Sequence, residues 1–174
     1  PERLHGPAPR DENGKPLATA DVLILINLPR KDLSGEANLL VRGIGRMGGE
    51  LRPQVQLSKG RWFTPGKREL IVAERLATRF AEMEVGESFR TAGNDLQVVG
   101  WFAGSKTAFD SEIWMDADEA RSIFDRDFYS SVLVRVDSTN RAPEITKRIE
   151  GDKRLPLQAI PETEYYKTQT GTAQ

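Results

Sequence analysis

Apolar residues in this chain fall in short runs set in two rhythms. Val22-Leu23-Ile24-Leu25-Ile26 is an unbroken apolar run of strand length, and it predicts a buried strand stopped by Asn27 and Pro29. A polar loop over 30–38 then leads to a second strand over 39–42. Val55 and Leu57 alternate with polar neighbours and suggest a short strand. Residues 69–72 predict another strand, which runs straight into a helix. In that helix Ala73, Leu76, Ala77 and Phe80 recur at i, i+3, i+4 and i+7, a stripe narrow enough to pack on a sheet. Residues 89–91 and 96–102 read as paired strands joined through Ala92-Gly93-Asn94-Asp95.

Beyond a polar, interrupted stretch over 104–111 the rhythm becomes helical. Asp116 stands where an N-cap belongs, with Glu119 three residues on to reach back, and Ala117, Ala120 and Phe124 face inward. Val132, Val134 and Val136 alternate, a half-buried strand. Residues 143–150 predict a helix with Pro143 in its first turn and Ile145 and Ile149 one turn apart. A last strand is expected over 157–160, and another helix from Pro161 onward. The first nineteen residues hold Pro1, Gly6, Pro7, Pro9, Gly14 and Pro16 and read as a mobile segment. Both ends therefore supply α/β elements around a β-rich middle. The fold class is α+β, with a layer built from 20–53 and 113–162 and an inserted β-rich subdomain over 54–112.

Composition removes several functions. The 174 residues fit one compact domain, with or without an insertion. Against 25 basic residues stand 26 acidic ones, and no basic run appears, so nucleic acid is not expected as a partner. There is no cysteine, hence no disulfide, thiolate metal site or cysteine nucleophile. No apolar run approaches the ~20 residues that cross a bilayer. The start at Pro1 reads as a processed or excised piece of a longer protein.

Candidate chemistry is sparse. Gly43-Ile44-Gly45-Arg46-Met47-Gly48 matches the glycine spacing of a dinucleotide loop, but Gly49 and Pro53 stand where its helix would have to begin. A Gly-rich loop is the expectation, with Arg46 and Arg52 able to meet an anion. Asp110, Glu112, Asp116, Asp118 and Glu119 form the densest acidic neighbourhood. An apolar strand runs through it, and it lacks the interior glycine of a calcium loop. A carboxylate-dependent hydrolase built there is the enzymatic alternative, and a freestanding periplasmic binding or adaptor module is the other. His5, the only histidine, lies in the mobile segment. No catalytic, cofactor or metal residue is expected. Phe109, in a loop, and the Tyr165-Tyr166 pair are the candidate partner contacts.

One further signal lies in the order of small pieces: Val41-Arg42-Gly43, Gly60-Arg61-Trp62-Phe63, Glu69-Leu70-Ile71-Val72 with Leu76-Ala77 and Phe80, Val85-Gly86-Glu87, Val98-Val99-Gly100, Ser111-Glu112-Ile113-Trp114, Ser131-Val132-Leu133-Val134 and Glu162-Thr163-Glu164-Tyr165-Tyr166. That order resembles the periplasmic core domain of MacB/FtsX-type ABC transporter permeases, over about residues 20–170. The resemblance implies a porter-like βαβ layer from both chain ends, an inserted sabre-like lobe, and 163–174 leading toward the second transmembrane helix. It also implies a non-catalytic, extracytoplasmic domain of an inner-membrane protein that binds no cofactor. Such a domain transmits ATP-driven movement and takes part in export or lipoprotein release. The implied partners are the parent transmembrane helices, a cytoplasmic ABC ATPase, a second permease subunit, and a periplasmic adaptor or lipoprotein. ATP hydrolysis would belong to a fused or separate nucleotide-binding domain, since no Gly-x-x-x-x-Gly-Lys-Ser/Thr loop occurs here.

Overall fold

The computed structural model describes residues 10–136, 139–154 and 156–171. Its chain order is β1 (Ala18–Pro29), β2 (Glu36–Ile44), β3 (Gln56–Gly60), β4 (Glu69–Ala73), α1 (Glu74–Ala77), β5 (Ser88–Thr91), β6 (Asn94–Ala103), β7 (Glu112–Asp116), α2 (Ala117–Ile123), β8 (Ser131–Val134), α3 (Ala142–Glu150) and α4 (Glu162–Gly171). This is an α+β fold dominated by one mixed sheet in the order β3-β6-β4-β7-β2-β1-β8, with β5 also paired to β6.

The first two strands form a longer hairpin than the apolar run alone suggests. Asn27 does not stop β1, which runs on to end at Pro29, and β2 begins within the expected loop, at Glu36. The hairpin closes where Arg30 N–H donates to Gly35 O, and Leu33 and Gly35 supply the positive φ that the turn needs. β1 is also not buried on both faces: Val22 and Ile24 are core residues, while Leu25 is 69% exposed.

The β5–β6 hairpin turns through Ala92 and Gly93, both at positive φ, the mirror-image two-residue turn whose twist matches the strands. β4 pairs parallel with β6 and antiparallel with β7, and β7 pairs parallel with β2. All five residues of β4 and of β7 are buried, as interior strands covered on both faces must be. α1 ends three residues short of Phe80, which still lies 1% exposed and bridges to Arg30. A 3-10 turn over Ala108–Ser111 replaces the irregular loop expected there.

By contact the chain forms two compact units, Thr19–Val132 and Pro1–Ala18 with Leu133–Gln174. The expected division at 53/54 and 112/113 is not the one these contacts make. β7 lies between β2 and β4, so strands from both proposed parts share one sheet. Every buried apolar side chain among the described residues belongs to Thr19–Val132.

In the other unit, residues 10–16 form a small closed turn. Arg10 bridges to Pro16, and Asp11 accepts from the backbone of Asn13 and Lys15. α3 and α4 form where the sequence predicts helices. Residues 157–160 form no strand: they lie between Pro156 and Pro161, which donate no hydrogen bond, and Leu157 and Ile160 stay exposed.

Two glycine-related predictions follow from the turns. At Gly60 (φ +74°) a Cβ would lie 2.3 Å from Val99 O. Gly60→Ala should therefore lower stability by about 2–4 kcal/mol. Ala92 has φ 46°, which costs an L-alanine strain. Ala92→Asn should raise stability by about 0.5–1 kcal/mol. Urea midpoints of the two variants against the parent chain check both signs.

Candidate functional site: a buried charge cluster

Four charged side chains meet inside Thr19–Val132. Arg42, on interior strand β2, donates through Nε and Nη2 to the two oxygens of Glu112 at 2.7 Å each, a fork-to-fork pair. Its Nη1 reaches Asp21 Oδ2 on β1 at 3.2 Å. Arg52, in the loop after β2, donates to the same Asp21 oxygen and, through Nη1, to Gly48 O at 3.2 Å. Trp114 Nε1 donates to Glu112 at 2.6 Å. None of the four charged side chains is more than 4% exposed.

Aromatic rings line the rest. Both guanidiniums lie over Phe109, at 5.3 and 5.7 Å from its centroid. Trp114 packs against Phe102 at 5.0 Å, Phe109 at 5.2 Å and Trp62 at 6.2 Å. The cluster is neutral overall, and guanidiniums do not give up protons in proteins. Sealed from solvent, it can hold elements together but cannot admit a substrate.

A second ion pair is half exposed. Arg61 grips Glu69 with two 2.8 Å hydrogen bonds, and Thr64 N–H adds a third at 2.9 Å. The Arg61 guanidinium first, and the Thr64 bonds after it, pull the Glu69 carboxyl down to about 2. Because the folded value lies below the ordinary one, this pair stabilises the fold fully above roughly pH 4.5. The contribution is lost as pH falls toward about 2.

Each carboxylate singled out in the sequence has an internal task. Asp110 accepts from Gly104 N–H, and Glu112 serves Arg42 and Trp114. Asp116 caps α2, accepting from the N–H of Asp118 and Glu119 at 2.9 and 3.1 Å. The Glu119 carboxylate does not complete a capping box there; it lies 3.8 Å from Arg68 Nε. Asp118 meets Arg121 and Tyr129 at the surface.

The glycines of the 43–48 spacing serve close packing. A Cβ at Gly43 would meet the Ala120 Cβ at 2.7 Å, and one at Gly45 would meet Thr19 Oγ1 at 2.7 Å. Arg52, read from the sequence only as able to meet an anion, pairs with Asp21.

Phe109 is corrected outright. It is 0% exposed beneath two arginines and offers no surface to a partner. Tyr165 and Tyr166 lie half-buried on α4 with their rings edge to face at 5.2 Å. His5 lies outside the described residues.

Sequence reasoning missed Asp21 and Arg52 as core residues. It also missed Phe128, which is 83% exposed beside Tyr129. The available signals were an aspartate abutting an apolar run and an aromatic pair following Asp125-Arg126-Asp127; nothing local marks Arg52, which sits in a loop.

Comparison with known proteins adds three findings. A family model described as the MacB-like periplasmic core domain matches residues 19–152. The fold is similar to the periplasmic region of MacB from Actinobacillus actinomycetemcomitans, with TM-score 0.61 and 12% identity over 88% of this chain and 75% of that one. It is also similar to the extracellular domain of the ABC-type transporter YknZ from Gram-positive bacteria, with TM-score 0.59 and 18% identity over 74% of this chain and 69% of that one. Among curated proteins, no sequence match is found.

Two stability tests follow. Arg42→Met leaves Glu112 buried without its cation and should cost about 3–5 kcal/mol, whereas Arg42→Met with Glu112→Leu should recover most of that loss. Glu69→Gln should cost about 1–2 kcal/mol at neutral pH, a figure kept small because Arg61 is 55% exposed. The gap between Glu69→Gln and the parent should narrow between pH 4.5 and 2. Denaturant titrations across that range check it.

Proposed function

We propose, from the premise that this chain belongs to the family of MacB-like periplasmic core domains, that it works as a mechanical and contact element rather than as a catalyst. It is the extracytoplasmic domain of a MacB-like ABC transporter permease. The family match over 19–152 carries this reading, since it takes in the whole compact unit Thr19–Val132. The site chemistry agrees with it. The arginines and carboxylates that look reactive in the sequence are spent on one another, on tryptophan or on backbone amides. No described helix is long and apolar enough to cross a membrane.

On this reading, nucleotide-driven movement of the parent's transmembrane helices is passed to this domain, whose compact unit Thr19–Val132 moves as a stiff body against substrate or partner proteins. A sheet with interior strands buried on both faces suits that task, because a packed core transmits displacement instead of absorbing it. Export or lipoprotein release are the processes it would serve. A periplasmic adaptor or lipoprotein and a second permease subunit are the proposed partners, with Tyr165 and Tyr166 as contact residues.

The parent permease, assembled with its ATPase in a bilayer and spin-labelled at Ser58→Cys on exposed β3, tests the transmission. The distance distribution between labels on paired subunits should shift between ADP and ATP. An unchanged distribution while ATP is being hydrolysed would overturn it.

A further inference from the structure

We infer that the buried Asp21 carboxylate is a register lock for β1: it fixes which residues of β1 face β2, a choice that hydrophobic patterning leaves open. The lock rests on the geometry of β1 and holds whatever load or partner the domain meets.

β1 pairs antiparallel with β2 in one register, with Leu23 opposite Arg42, Leu25 opposite Leu40 and Asn27 opposite Asn38. On a strand, a slip of two residues keeps every side chain on its own face. If β1 slid so that each residue took the place of the one two before it, Ile24 would replace Val22 and Ile26 would replace Ile24. Leu28 would in turn replace Ile26. Each exchange sets an aliphatic side chain in an aliphatic place, so burial opposes this slip only weakly.

The other face does discriminate. There Leu23 would enter the site of Asp21, whose carboxylate is wholly buried and accepts from both Arg42 and Arg52. A leucine in that place would take from the sealed Arg52 its carboxylate, leaving Gly48 O and the rings of Phe109 and Trp114, and would take from Arg42 its bond to Asp21. Among the described residues of β1, Asp21 is the wholly buried charge whose two arginine partners lie within reach in the native register, while the exposed Asn27 meets Glu36. Asp21 is also two residues inside the point where the chain passes from one compact unit to the other, at Ala18 and Thr19.

The absence of cysteine makes the register directly readable. Leu23 N–H is bonded to Ser130 Oγ, away from β2. By the alternation of an antiparallel ladder, Leu25 and Leu40 are then a close, non-hydrogen-bonded pair, suited to a disulfide. Asn27 and Leu40 are diagonal in the native register, about 7–8 Å apart, beyond comfortable bridging; they become direct partners after the slip. Two double-cysteine versions of the 174-residue chain, Leu25→Cys/Leu40→Cys and Asn27→Cys/Leu40→Cys, are oxidised under identical conditions. Each is made in the parent sequence and in Asp21→Leu/Arg52→Met, which removes the lock as a neutral pair and leaves Arg42 with Glu112.

In the parent, the 25–40 pair should close and the 27–40 pair should close roughly tenfold or more slowly. In Asp21→Leu/Arg52→Met the 27–40 pair should gain at least most of that deficit. If the 27–40 pair stays slow there while 25–40 closes normally, apolar packing or the tight approach of Gly45 to Thr19 sets the register, and the inference is overturned. If neither pair closes in that background, Asp21 is needed for β1 to dock at all, and the lock is equally refuted.

Discussion

Arg42 is the side chain on which the rest of Thr19–Val132 depends. It sits on an interior strand, and its planar fork faces two carboxylates brought from strands on either side, Asp21 on β1 and Glu112 on β7. Burying a guanidinium is costly unless its donors are paired. The sequence therefore has to deliver both acids to this spot, and delivering them fixes the relation of three neighbouring strands. Arg52 extends the same constraint to the loop after β2, and Trp114 ties Glu112 to the aromatic cluster. Charge here acts as a specification of geometry more than as a source of net stability.

The small sequence pieces whose order resembles this family turn out to be fixtures of the same kind. Val41-Arg42-Gly43 supplies the central guanidinium and the bare backbone against which Ala120 packs. Ser111-Glu112-Ile113-Trp114 supplies its carboxylate and indole. Gly60-Arg61 and Glu69 form the second ion pair, at a turn where a side chain on Gly60 would strike Val99 O. Motifs without chemistry are what a domain leaves when its demands are on assembly. That also explains why such short fragments, read together, point to a fold and not to a reaction.

Much of the fold was legible because its signals are local. The 22–26 run, the stripe from Ala73 to Phe80, Ala92-Gly93 and the Asp116 cap each announce themselves within a few residues. What was not legible is long-range. Asp21 looks like the polar end of a strand until Arg42 and Arg52 are seen to converge on it from 21 and 31 residues away. Phe109 reads as a loop aromatic because its neighbours are polar, yet those two arginines roof it over. The contact-defined units also divide the chain elsewhere than the sequence suggests, because β7 follows the middle segment in sequence but inserts between β2 and β4 in space.

The unequal distribution of buried side chains also bears on how such a protein can diverge. Among the described residues of Pro1–Ala18 and Leu133–Gln174 no side chain is buried. Exposed positions tolerate most substitutions within about half a kcal/mol, whereas core positions do not. Lineages could therefore rewrite the exposed positions of α3 and α4 with little penalty while the charge cluster stays fixed. A surface that can change without endangering the fold is the part of a domain best placed to acquire new acquaintances.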